Sequence, residues 1–387
     1  MTTPSTPAPI TVAPADFPWY DVNGFTFSLG LRMGDDVWCS GHSASALDPE
    51  TGRPGIRGGM ADQARIAYAK QAAVLSAAGL GLSQVTRIVE NVTVAGLPSY
   101  EEAAQVRRRL FHGTSPVVVT VVVDRLVRRS ALIEVEVHAA ADAPPPGPAE
   151  VRVEHGGTVL LPTLLPVDEH GTVVAVGDPA AQYAHCLDRA AALLEPLGLD
   201  LSHLVSTTEF VTAKANRAGR DIDRMRARRL GPVYPAVTRV LTEAQLRPSI
   251  HVAVEAVASR QEPEPVDPLG LAPHMPARSP AVRAGNLLHI SGFGVLAAVP
   301  DLRGQAENLY ATLLRTMESV GSGPEHLLST VEFVAATALP DYRAVADVRR
   351  SLLKEPYPVS TGIVCSRMAH TEALLDVAAV AAIPGEV

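Results

Sequence analysis

The sequence predicts an α/β (α+β) protein built from three tandem ββαβαββ units that close on one another as a single-chain pseudo-trimer. Two fixed spacings and one repeated order of elements carry this reading. A helical segment opens on a Gln and ends at a Gly sixteen residues on: Gln63 to Gly79, Gln182 to Gly198, Gln305 to Gly321. A Pro that starts a strand lies twenty residues before a matching position in the last strand: Pro116 to Glu136, Pro235 to Glu255, Pro358 to Ala378. Self-similarity on this scale decides the architecture before any motif does.

Each element follows in order. A pair of strands precedes the first helix, around Val37-Trp38-Cys39-Ser40-Gly41-His42 in copy one and Leu288-His289-Ile290-Ser291-Gly292-Phe293 in copy three. Copy two has Val159-Leu160-Leu161-Pro162-Thr163 there and loses the Ser-Gly. In the helix, Ile66, Ala67, Lys70, Ala73, Val74 and Ala77 recur at helical spacing and define one buried face. The closing Gly suits a left-handed cap. A strand follows (Ile88–Ala95, Val205–Thr212, Thr330–Ala336), then a second helix rich in charge (Ser99–Leu110, Ala218–Leu230, Asp341–Leu353). The Pro-led strand and a final strand (Leu132–Ala139, His251–Ala258, Leu374–Ala381) complete the unit.

The run Val117 to Val123 reads as a strand buried on both faces. It favours three units hiding their sheets against one another over three beads on a string. The predicted boundaries are 19–142, 149–260 and 274–384. Residues 1–18, rich in Pro, Thr and Ala, read as a disordered tail. The Pro-rich stretches Ala143–Pro148 and Pro263–Pro276 read as linkers.

Composition bounds the function. Of 387 residues, 47% are apolar and 19% charged, which suits a core-forming chain; aromatics are only 4%, so small aliphatic side chains must fill the core. The net charge of −8 argues against nucleic acid or an anionic membrane as partner. Two arginine clusters (Arg107, Arg108, Arg109; Arg226, Arg228, Arg229) read as solvated helix faces. Cys39, Cys186 and Cys365 lie too far apart in sequence for a disulfide framework or zinc motif. The N-terminus lacks a signal-peptide pattern and no apolar run approaches the ~20 residues that span a bilayer, so a cytoplasmic location is expected. Without HxH, HExxH, a phosphate loop or a GxSxG elbow, no metal or cofactor is expected.

The Ser-Gly after the first strand pair, the Gln-to-Gly helix, the Pro-led strand and the ending Ile133-Glu134-Val135-Glu136 together resemble the Rid superfamily. These are the reactive intermediate deaminases, also called YjgF-type or endoribonuclease L-PSP proteins, with a chorismate mutase-like fold. The resemblance covers the chain from about Phe25 to about Ala382. It implies ligand clefts between adjacent units, here up to three inequivalent ones within one chain. Standard members hydrolyse imines derived from 2-aminoacrylate and grip the substrate carboxylate with an Arg two residues after the strand Pro, a task suited to a planar bidentate cation. Val118, Val237 and Ser360 stand at that position, so the standard activity is in doubt at every cleft.

Several residues are candidates to replace it. Arg239 lies two residues beyond the missing position, on the same strand face, and reads equally as a carboxylate anchor or an ion pair at a unit interface. A cleft-lining Tyr of the family, thirteen residues before the Ser-Gly serine, corresponds to Phe27 in copy one and Arg278 in copy three. Arg278 reads as an anion anchor or a surface residue of the linker. The family's water-placing acid corresponds to Glu134, Ala253 and Asp376, with Glu136 and Glu255 two residues on. Acids in apolar strands are costly to bury unless paired or protonated, which suits a general acid–base role or ion pairs at the seams. Glu209 and Glu332 share another strand position, aligned with Val92 in copy one. His42 follows Ser40-Gly41 and is a proton-shuttle candidate or a surface histidine. Ser40 and Thr120 complete the substrate-contacting set.

The reading is a non-standard Rid-like enzyme acting by acid–base chemistry on a small imine, carbonyl or carboxylate-bearing metabolite, and a place in specialised metabolism fits. Two alternatives stand beside it: a chorismatase-like hydrolase, and a non-catalytic small-molecule-binding or scaffold protein. The first and second copies are favoured as holders of the active residues. The expected assembly is a monomeric pseudo-trimer, with further dimerisation left open.

Overall fold

The computed structural model describes residues 6–48, 50–142, 150–231, 233–294 and 299–385. The first linker, Ala143–Pro148, lies outside the described residues, as do residues 1–5 of the expected tail. The first unit contains β1 (Ala8–Pro9), β2 (Gly30–Met33), β3 (Asp36–Cys39), β4 (His42–Ser43), a ribbon of β5 (Ala46–Leu47) and β6 (Pro54–Gly55), α1 (Met60–Ala77), β7 (Val85–Thr93), α2 (Tyr100–Leu110), β8 (Val117–Val123), β9 (Arg125–Leu126) and β10 (Ile133–Ala140). The second has β11 (Arg152–Val153), β12 (Thr158–Leu160), α3 (Pro179–Leu194), β13 (Leu204–Val211), α4 (Ala213–Arg217), α5 (Gly219–Arg229), β14 (Ala236–Leu241) and β15 (Val252–Ser259). The third has β16 (Glu264–Val266), β17 (Ala281–Ala284), β18 (Leu287–Ile290), α6 (Leu302–Glu318), β19 (Leu327–Ala335), α7 (Arg343–Leu352), β20 (Val359–Cys365) and β21 (Leu375–Ala382).

The three main sheets repeat one topology. Their strands run β2-β3-β10-β7-β8, β11-β12-β15-β13-β14 and β17-β18-β21-β19-β20, with the last two of each parallel. The Pro-led strand thus joins by a right-sized helical crossover, as parallel pairing demands. Each first helix packs on its own sheet around a separate apolar core. The closing glycines adopt left-handed backbone in all three copies: Gly79, φ 72°; Gly198, φ 73°; Gly321, φ 74°.

The repeated Gln has a physical task. The Gln63 amide donates to Ser130 O at 3.2 Å and accepts from Leu132 N at 2.8 Å. Gln182 does the same with Ser249 O and His251 N, and Gln305 with Glu372 O and Leu374 N. A buried amide bridging the helix to the start of the last strand satisfies two backbone groups that the sheet leaves unpaired.

The units close around a pseudo-threefold axis. One buried apolar cluster draws together Val121, Phe210 and Phe333, one residue from each unit. At one end, Asp124 accepts from Glu243 N and Ser366 N, both at 2.7 Å. All three lie eight residues after their strand Pro, so a single carboxylate ties three equivalent chain positions together. Strand β9 of the first unit also pairs antiparallel with β20 of the third.

Several expectations need correction. Residues 6–18 pack instead of trailing: β1 pairs with β2, and Phe17 is buried against Trp19 and Tyr20. Part of the second linker forms β16 at the edge of the third sheet, because Glu264–Val266 find a partner in β17. The arginine clusters are not wholly solvated, since Arg226 is fully buried and Arg107 largely so, each paired with a buried glutamate. Finally, β7 begins three residues earlier than expected, which shifts the alignment of copy one. Glu90, not Val92, matches Glu209 and Glu332, as their shared register to Val135, Val254 and Val377 shows.

Candidate active site

Adjacent units meet along three seams, and two are wired identically. At the first-to-third seam, Ser28 N donates to Pro358 O at 2.9 Å. The Ser40 hydroxyl donates to Ser28 O at 2.7 Å and accepts from Ser360 N at 2.9 Å. At the third-to-second seam, Ser279 N donates to Pro235 O at 3.0 Å. Ser291 donates to Ser279 O at 2.6 Å and accepts from Val237 N at 2.9 Å. Ser40 therefore holds the seam, with donor and acceptor both engaged, and is not a free substrate contact. The glycine after each serine lets the next unit approach. A Cβ on Gly41 would lie 2.6 Å from Glu134 Oε1 and from Thr361 Oγ1; on Gly292 it would lie 2.5 Å from Asp376 Oδ2 and 2.9 Å from the Thr238 methyl. Copy two, lacking Ser-Gly, closes its seam with Thr163, which accepts from Thr120 N at 2.7 Å and donates to Thr120 O at 3.0 Å.

The third-to-second seam gathers Arg278, Asp376 and His370. Arg278 is half-buried, and among the described residues its guanidinium makes no ion pair or hydrogen bond. Burial, then the like charges of Arg239 and Arg226, lower its pKa, which marks a cation short of counter-charge. Asp376 is buried at the end of β21. Its Oδ1 accepts from Gly294 N at 3.1 Å and from Val377 N at 3.0 Å. Burial raises the Asp376 pKa against the opposing pull of these bonds and of Arg278 and His370. His370 lies against Gly294, and burial followed by Arg278 lowers its pKa, so it is neutral at physiological pH. An unpaired guanidinium, a carboxyl with a raised pKa and a neutral imidazole lie close enough at this seam to shift one another's titration.

The first-to-third seam carries different chemistry. Glu134 stands where Asp376 does in the other cleft. Burial, then Glu136, raises its pKa to about 8, against Lys70. Lys70 extends from α1 with Nζ 2.7 Å from Ser43 O, also donating to Ser45 O, and lies 4.7 Å from the Tyr20 ring centroid. Burial lowers its pKa to about 7. His42 is buried, not a surface loop residue. It meets the Tyr20 hydroxyl at 3.2 Å, and its pKa falls to about 3 through burial and then Lys70, so its resting form near pH 7 is neutral. The second-to-first seam has buried Ala253 at the acid position and offers no acid–base group there.

Other predicted residues go elsewhere. Arg239 is held in ion pairs, the second of the two readings the sequence offered. It donates to Glu209 at 3.0 Å and to Asp223 at 2.8 Å, inside the second unit. Its guanidinium fills the space that a Tyr occupies in the other copies. Gly219 stands at the position of Tyr100 and Tyr342, and a Cβ there would meet Arg239 Nη1 at 2.9 Å. Thr120 lies in the corresponding cluster of the first unit, its hydroxyl 2.8 Å from that of Tyr100. Phe27 stacks on Phe25 at 4.8 Å. Glu136 and Glu255 face the central axis. Glu136 accepts from Asn91 at 3.0 Å, and Glu255 is paired with Arg87.

Glu90, Glu209 and Glu332 anchor one structural motif. Each is fully buried and paired with an Arg seventeen residues on: Arg107, Arg226 or Arg349. Burial alone would raise the Glu209 pKa, but Arg226 and Arg239 outweigh it and hold it at about 2. The constant Glu-to-Arg spacing was a sequence signal for these buried pairs. No comparable signal marked His370, Lys70 or Tyr20, which reach their clefts through non-repeated loops and a helix position.

Comparison with known proteins follows this geometry. Residues 24–141 match the family model "Endoribonuclease L-PSP". Comparison with curated protein sequences gives no match. Among solved structures, the chain is similar to a chorismatase at 15% identity and TM-score 0.51, covering 78% of this chain and 93% of that one. It is also similar to Escherichia coli TdcF with bound serine (24% identity, TM-score 0.26, 36% of this chain and 98% of that one) and to yeast Mmf1 (20%, 0.29, 35% and 98%). The likeness to the chorismatase shows a shared fold. The family match covers the first unit, and the repeated sheet topology extends that unit's architecture to the other two, so the chain resembles the Rid superfamily as three tandem units.

Proposed function

We propose that the third-to-second cleft binds a small carboxylate-bearing metabolite and acts on it by acid–base chemistry. The unpaired Arg278 guanidinium beside Asp376 carries this reading. Arg278 replaces the absent strand arginine from the opposite wall of the cleft and fixes the ligand carboxylate. For an imine substrate, neutral His370 takes a proton from water as the oxygen attacks the imine carbon. Asp376 gives its proton to the nitrogen, and collapse of the carbinolamine releases ammonia and leaves the carbonyl product.

The test is turnover of enzymatically generated 2-aminoacrylate imine, with chorismate as a second substrate because the chain-wide fold likeness is to a chorismatase. Ammonia or chorismate-derived product, lost in Arg278→Ala, supports the reading. Ligand-induced thermal stabilisation without turnover favours a binding protein instead. The absence of both effects overturns the assignment of this cleft.

A further inference from the structure

The central axis holds a chamber that the seam chemistry does not use. Inward-facing positions of β7, β13 and β19 stack around it in layers. One layer is Arg87, Ser206 and Ser329, and another is Asn91, Phe210 and Phe333. The chamber has a volume of about 140 Å³ and shares Trp38, Glu154 and Leu287 in its lining with a neighbouring cavity of about 860 Å³. A cavity of about 150 Å³ accommodates a benzene-sized molecule, so a ligand of several heavy atoms fits.

Arg87 is only 6% exposed, and its Nε has no hydrogen-bond partner, although another guanidinium nitrogen pairs with Glu255 of the second unit. An unfilled guanidinium N–H in a buried site is costly, and what it lacks is an acceptor. His138 and His289, both held neutral chiefly by burial and then by Arg87, supply no competing charge. Phe210 and Phe333 offer an apolar wall.

We propose that this axial chamber binds a short-chain carboxylate, its oxygens on Arg87 and its tail against Phe210 and Phe333. Fusion of the three units makes such a site available. In a ring of identical chains Arg87 would occur three times around the axis, as mutually repelling cations, whereas here serines fill the other two positions. The single Arg leaves an asymmetric chamber with one spare donor; Glu255 pairs with it, Glu154 lines the wall, and the Glu136 carboxyl is raised to about 7 by burial and then by Glu255.

Bromide and acetate are the probes. Crystals soaked in bromide should show an anomalous peak beside Arg87 Nε, retained in Arg278→Ala and absent in Arg87→Gln. Acetate affinity by calorimetry should fall about tenfold or more in Arg87→Gln, the loss expected for a hydrogen bond to a charged group. The double variant Arg87→Gln with Glu255→Gln removes both partners of the ion pair, and should lose the peak and the affinity while remaining folded. Water without an anomalous peak in the wild type overturns the proposal. So does acetate binding that is unchanged in both Arg87 variants, or that disappears with Arg278→Ala alone.

Discussion

The third-to-second and first-to-third clefts share their backbone and differ in their chemistry. Both use a Ser-Gly seam, a strand acid behind the glycine and a Thr from the neighbouring unit. One adds Arg278 and His370, the other Lys70, Tyr20 and buried His42. In Asp376 the cleft acid receives two backbone N–H bonds, whereas Glu134 faces the buried ammonium of Lys70 without such support. A conserved seam thus positions an acid, and the loop and helix residues around it decide what that acid can do. Once the units are fused, each seam is free to change alone.

The sharpest way to break the comparison is to disable each acid. Asp376→Asn should lower turnover by about 10²–10⁴-fold, the range for a positioned general acid or base, while Glu134→Gln leaves turnover near wild type. Steady-state kinetics on the active substrate decide between them. Equal losses would mean that both clefts work, and a loss confined to Glu134→Gln would move the active site to the other seam.

A second prediction concerns the buried charges of the second unit. Glu209 neutralises both Arg226 and Arg239, whereas among the described residues Glu90 has Arg107 as its one ion-pair partner. Glu209→Gln should destabilise the protein by about 3–5 kcal/mol, the cost of leaving buried charge uncompensated, and Glu90→Gln by less. Urea unfolding measures both. Equal costs would show that Asp223 already neutralises Arg239. A smaller effect is expected from Arg278→Lys, which keeps the charge and loses the fork. KM should rise by about tenfold with a lesser change in kcat, because carboxylate binding weakens in ground and transition states alike.

The contrast between these residues also shows what the sequence could reveal. Gln63, Gln182 and Gln305 repeat because each closes the same two backbone groups, so repetition exposed the fold directly. Asp376 and Arg278 were legible by family position. Arg239 reads equally as a carboxylate anchor or an ion pair because strand alternation gives a face and not a partner. Only the structure shows that Gly219 vacates a tyrosine's space for it. His370 and Lys70 were invisible as site residues because neither repeats. Lys70 was placed on the buried face of α1, and its burial there is made tolerable by two carbonyls of a loop that periodicity does not locate.

The dependence of stability on pH separates the two acids. The Glu134 pKa is raised to about 8 in the folded protein, chiefly by burial and then by Glu136. Between the unfolded carboxyl value of about 4.3 and that pH, the folded state holds a proton that the unfolded state has released, so this group makes stability fall as pH rises and level off above. Lys70, lowered to about 7 by burial, contributes with the opposite slope from that pH up to its unfolded value. The wild-type curve therefore mixes the two, and the difference between Glu134→Gln and wild type reads the carboxyl together with its upward pull on the Lys70 pKa. That difference should grow in favour of the variant from weakly acidic pH to about pH 8 and then stay constant. Asp376 is also raised, but its backbone bonds and Arg278 oppose the shift, so the advantage of Asp376→Asn should level off at lower pH. Urea melts of the three proteins across this range give the measurement. If the Glu134→Gln difference is flat, its carboxyl titrates as in water, and the first-to-third cleft is open to solvent instead of being a dry counterpart of the Arg278 site.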